Sequence, residues 1–134
     1  MSVRSEILAD IEAVLKGIPD IGDVFVGKYE QVDLDALKFP AIFIFQGDDQ
    51  EAIETMGTET FTWRVVVEAW CKDAEAETVF AALHMELSRD YTRSGNALNC
   101  RRTGSDVLSL DPGRGLIALQ QTYEILYRHP YGQP

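Results

Sequence analysis

The spacing of apolar residues changes period along the chain, and each change predicts an element. From Val3 to Lys16 the apolar side chains Ile7, Leu8, Ile11, Val14 and Leu15 recur at helical intervals, with Glu6, Asp10 and Glu12 elsewhere on the cylinder. This predicts an amphipathic helix with Ser2 as N-cap, Gly17 as C′ residue and Pro19 barring continuation. Val24 and Val26 alternate within Asp23–Tyr29, which predicts a short strand, and Glu30–Phe39 predicts a loop. After Pro40 the residues Ala41, Ile42, Phe43, Ile44 and Phe45 are apolar on both faces, as a strand covered from two sides requires. Gly47, Asp48, Asp49, Gln50 and Glu51 then read as a polar turn or exposed loop.

Phe61–Cys71 is the clearest strand. Phe61, Trp63, Val65, Val67, Ala69 and Cys71 point one way, while Thr62, Arg64 and Glu68 point the other, joined by Val66 and Trp70. Met56, Gly57 and Thr58 offer a turn before it, so 52–55 pairs back as a hairpin arm. Asp73 is placed to cap a helix over Ala74–Asp90 whose buried stripe is Val79, Leu83 and Leu87, with Phe80 beside it. Ala97–Thr103 and Val107–Leu110 are weaker strand candidates around Gly104. Asp111, Pro112, Gly113, Arg114 and Gly115 make a turn, Leu116–Arg128 a long final strand, and His129–Pro134 an arm. The hairpin-sized connections favour antiparallel pairing. The order predicts one α+β domain over residues 1–134: a two-layer sandwich, mainly antiparallel, with two helices packed on one face.

Charge narrows the functional classes. The formal net charge is −10, spread unevenly: residues 1–40 carry eight acids against four bases, 41–90 eleven against three, and 91–134 three against five. Binding to the outside of a nucleic acid draws on Lys and Arg neutralising phosphates, which this balance opposes. No apolar run approaches the length of a membrane span, and the N-terminal stretch lacks the unbroken apolar core of a secretion signal, so synthesis in a cytoplasm is expected. Cys71 and Cys100, the only cysteines, make neither a disulfide framework nor a zinc site and read as packed residues.

The chain offers no catalytic motif. The Gly-containing turn at 111–115 precedes a strand and lacks the Lys-Ser/Thr of a phosphate-binding loop. Asp48, Asp49 and Glu51 lack the spaced oxygens of a calcium loop and read as a charged contact loop. His84 and His129 have no nucleophile partner in any motif. No enzyme activity, cofactor or metal is predicted. Arg101, Arg102 and Arg114 form the basic exception in an acidic chain and suggest a patch that meets an acidic one. Trp63 and Trp70 lie on opposite faces of one strand, so Trp70 is either covered by another element or serves as an interface anchor.

Taken together, the amphipathic first helix, the Phe39–Phe45 segment, the long Phe61–Cys71 strand running into an acidic-capped helix, and the terminal strand ending at Tyr123–Arg128 resemble the tail terminator (tail completion, minor tail protein U-like) family of long-tailed bacteriophages. That resemblance spans nearly the whole chain and rests on element order. It implies a structural virion protein forming a ring, usually a homohexamer of about six copies in closed cyclic symmetry. Such a ring sits at the head-proximal end of the tail tube, stops its polymerisation and meets the head–tail connector or completion protein. DNA passes through the pore without specific binding, and no membrane is involved. The contact candidates under this reading are Asp48, Asp49, Glu51, Trp70, Arg101, Arg102 and Arg114. The competing expectation is a small acidic immunity or regulatory binding module of the cytosol.

Overall fold

A computed structural model describes residues 2–27, 36–55 and 57–130, with backbone alone at 51–55 and 130. The elements run α1 (Val3–Lys16), β1 (Val24–Val26), β2 (Ala41–Thr55), β3 (Thr58–Lys72), α2 (Ala76–Ser88), β4 (Asn99–Asp111) and β5 (Leu116–Pro130). The strands form one sheet in the order β1-β2-β3-β5-β4, antiparallel throughout except for the parallel β1–β2 pair. Both helices pack on one face, so the protein is a two-layer α+β sandwich.

The period-two alternation of β3 and β5 explains the layering. Trp63, Val65, Val67, Ala69 and Cys71 interleave with Leu119, Tyr123, Ile125 and Tyr127 under Ile7, Ile11 and Leu15 of α1 and Val79, Leu83 and Leu87 of α2. The β3–β5 ladder holds one register from Thr58 opposite Pro130 to Lys72 opposite Leu116. On the reverse face a smaller cluster gathers Ala41, Phe43, Trp70 and Ala118, with Leu37, Phe39, Phe45 and Leu110 against it. This second cluster is why the segment after Pro40 is apolar on both faces.

Ser2 caps α1 as its sequence predicts, accepting from the Ser5 amide at 3.1 Å. Gly17 ends the helix in right-handed geometry, and the left-handed turn comes at Asp20 (φ 68°). Asp73 does not cap α2. Its amide is tied to the Gly115 carbonyl at 3.0 Å, and a 3-10 turn over Asp73–Glu75 intervenes before a helix with no side-chain cap.

Three other expectations are corrected. Gly47–Glu51 is neither turn nor loop but the middle of β2, which runs on with register shifts between Gln46 and Asp49 and between Glu51 and Ile53. The two weak strands around Gly104 are one strand, β4, with shifts at Arg102/Gly104 and Ser109/Asp111. Strand β5 continues through His129 to Pro130, so the expected arm is at most 131–134, which lies outside the described residues. Of the predicted loop at 30–39, residues 30–35 also lie outside them. The hairpin turn before β5 is as expected: Asp111 accepts from the Gly113 amide at 3.2 Å, and Gly115 takes the left-handed conformation (φ 68°) that a side chain would strain.

Candidate assembly surfaces

Because neighbouring residues on a strand face opposite ways, the sheet separates charges that are adjacent in sequence. The extra residue between Gln46 and Asp49 turns Asp49 opposite Trp63, on the helix face, where Arg4 of α1 forms an ion pair with it. Arg4 also donates to the Tyr127 hydroxyl at 2.7 Å, and its guanidinium lies 5.1 Å from the centre of the Trp63 ring. Asp49 therefore fastens the start of α1 to the sheet. Asp48 lies 3.5 Å from Arg64 on the solvent side. Glu51 is on the same β2 strand, but its side chain lies outside the described residues. The acidic group expected as one contact loop is thus divided by a strand.

Strand β4 divides the arginines in the same way. Arg101 pairs with Glu124 at 3.5 Å across the ladder. Arg102 turns to the helix face, with its guanidinium 4.8 Å from the centre of the Phe80 ring of α2. There it joins burial in lowering the pKa of His84, burial being the larger cause. Arg114 sits beyond the far end of β4 and lies 3.4 Å from Asp111. The three do not form one patch.

Trp70 is 5% exposed, which excludes it as a ready interface anchor. Its ring tilts at 47° against Phe43, with centroids 4.5 Å apart, and its indole N–H donates to Glu68 at 2.7 Å. Glu68 is itself buried and accepts a second bond, from the Gln120 amide at 2.6 Å. A carboxylate on the reverse face of the sheet is thereby satisfied by two neutral donors.

Two further features escape sequence reading. Arg93 is fully buried after α2 and donates to the Leu87 carbonyl at 2.7 Å and to the Asp90 carbonyl, while lying 3.3 Å from Asp10 of α1. It joins the helices to one another and caps the C-terminal carbonyls of α2. The second feature is at the sheet edges. Among the described residues, the large exposed apolar side chains are Phe25, Val26, Met85, Tyr91, Leu98, Val107 and Leu108, of which two adjoin on β1 and two on β4. Both strands are edges of the described sheet, and adjacent apolar residues on an edge strand offer apolar surface on both faces, an arrangement isolated soluble sheets avoid.

The described cavities are open grooves. One of about 350 Å³ is lined by Ile18, Pro19, Asp20 and Ile21 before β1, by Pro40, and by the start of α2. Among the described residues no three His, Cys, Asp or Glu side chains are grouped to hold a metal ion, and no helix is long and apolar enough to cross a membrane. Both cysteines are free and buried. Burial pushes the Cys71 thiol up to about 11, helped by Glu75 and Asp73, and raises Cys100 as well. Neither is poised as a nucleophile. No family model matches the chain, and no curated protein matches it.

Proposed function

We propose that this chain is the subunit of a ring that closes the head-proximal end of a phage tail tube, ends its growth and presents a joining surface to the head connector. The carrying observation is that, among the described residues, the five-stranded sheet has no further strand at either edge and the edges differ: a three-residue β1 with Phe25 and Val26 exposed, and a thirteen-residue β4 with Val107 and Leu108 exposed. Two unlike patches on one subunit support a heterologous contact, which closes into a ring when its rotation closes. The net charge of −10 fits a pore through which DNA slides without adhering. The resemblance to the terminator layout rests on element order, which runs from α1 through β5.

The test is light scattering and mass photometry of the full chain, alone and with tail tubes of the matching tube protein. A closed oligomer of about six copies, together with arrest of tube growth, is expected. A chain that stays monomeric with tubes present and leaves their growth unchanged refutes the ring. Tight binding of that monomer to one basic protein would favour the binding-module reading instead.

A further inference from the structure

We infer that the ring contact is a shared sheet in which β4 of one copy pairs antiparallel with β1 of the next, with Leu108 opposite Phe25 and Val107 opposite Val26. The inference rests on the ring reading above and specifies its joint.

Strand direction permits the pairing. Strand β1 runs with β2, while β4 runs against β5 and therefore with β3, opposite to β1. A rotation about an axis along the strands carries one sheet beside the next without reversing either, so β4 meets the neighbour's β1 antiparallel.

Side-chain parity then selects the register. On β1, Phe25 stacks on Phe43 of the reverse face at 5.4 Å, whereas Val24 packs with the helix-side core and Val26 shares its parity. On β4, Val107 lies opposite Leu119 of the helix-side core and Leu108 opposite Ala118 of the reverse cluster. Placing Leu108 across from Phe25 makes each opposed pair apolar on apolar and each on the same face. These four residues are 57% (Val107), 44% (Leu108), 37% (Phe25) and 45% (Val26) exposed in the single chain, so pairing covers surface that is otherwise wet.

Charge continues the match. Followed past Leu110, the same register brings the turn with Arg114 to the segment before β1, where Asp20 and Asp23 lie. A three-residue ladder is too small alone, since stable contacts bury roughly 1,000 Å² or more in total. The 350 Å³ groove along Ile18, Pro19 and Ile21 adjoins this segment and gives the neighbour's Pro112–Arg114 turn a seat.

Opposed residues of an antiparallel pair have Cα atoms roughly 4.5–5.5 Å apart, within disulfide reach. A full-length chain carrying both Phe25→Cys and Leu108→Cys is therefore expected, on mild oxidation, to give a reductant-sensitive ladder of covalent oligomers on a denaturing gel. Either single variant should give none beyond the wild-type control. A ring seen by light scattering whose double variant yields no ladder overturns the β4–β1 joint and leaves the ring standing. A covalent dimer from Leu108→Cys alone also overturns it, because that requires two β4 strands to meet about a two-fold axis. A second measurement guards against a misfolded cysteine variant: Val107→Lys and Val26→Lys should each abolish the oligomer, and Val107→Lys with Val26→Glu in one chain should restore it. Failure of that restoration likewise counts against the register.

Discussion

Strands β5 and β4 are neighbours in the same sheet, of similar length, and they have opposite fates. Strand β5 lies between β3 and β4 and buries alternate residues from Leu119 to Tyr127 under two helices. Among the described residues, strand β4 has a partner on one side only; apart from Cys100, with Arg102 partly covered by Phe80 and Leu110 against the reverse cluster, its side chains stay largely open. The difference arises from position, since helix cover reaches only the start of β4, at Cys100 and Arg102. Side chains that would be core material one strand inward, such as Val107 and Leu108, are exposed at the edge.

The sharpest way to break this comparison is to truncate in the covered centre. Trp63→Ala removes the largest fully buried side chain and should cost about 4 kcal/mol, read as a fall in the denaturant midpoint. Arg93→Met comes next. It leaves Asp10 with Ser94 but without its cation and takes the donor from the Leu87 and Asp90 carbonyls, and an expected loss of about 3 kcal/mol would appear in the same titration. If either variant is as stable as the parent, the covered layer is not what holds the fold.

At the edge the same approach should show little. Leu108→Ser is expected to change the stability of the single chain by less than about 0.5 kcal/mol while weakening self-association by size-exclusion chromatography. A large loss of single-chain stability would mean that β4 is covered after all. The smallest effect concerns acid. Thr92 and Ser94 donate to the Asp90 carboxylate and hold its pKa at about 2, below the ordinary 3.8. A depressed folded-state value stabilises above the unfolded pKa and is lost as pH falls through the folded one. The stability gap between wild type and Asp90→Asn should therefore be constant at neutral pH and close between about pH 4 and pH 2. A gap that persists at pH 2 would remove Asp90 from the turn's acid response.

How much was legible follows from how local each cause is. The helix stripes, the alternation of Phe61–Cys71 and the Asp111–Gly115 turn depend on spacing within a few residues, and the fold class follows from them. The bulges do not. One inserted residue between Gln46 and Asp49 puts Asp49 and not Asp48 on the helix face, and the shift at Arg102/Gly104 sets which way Val107 and Leu108 point. The alternation of β3 puts Trp70 on the face opposite Trp63, yet its burial depends on Phe43 from another strand and on a carboxylate two residues away. The Arg93–Asp10 contact joins residues far apart in sequence with nothing local to announce it. The sheet edges are least legible, because an edge is defined by which strand ends the sheet, a property of topology and not of any window of sequence.

The opposite phase of Trp63 and Trp70 on β3 has a practical consequence. One indole is stacked by Arg4 beneath α1; the other donates its N–H to Glu68 on the reverse face. The two chromophores therefore sample different layers through a shared backbone. Single-tryptophan versions made with Trp63→Phe or Trp70→Phe would let emission spectra follow the helix layer and the reverse face separately, and so reveal whether the sandwich comes apart in one event or two.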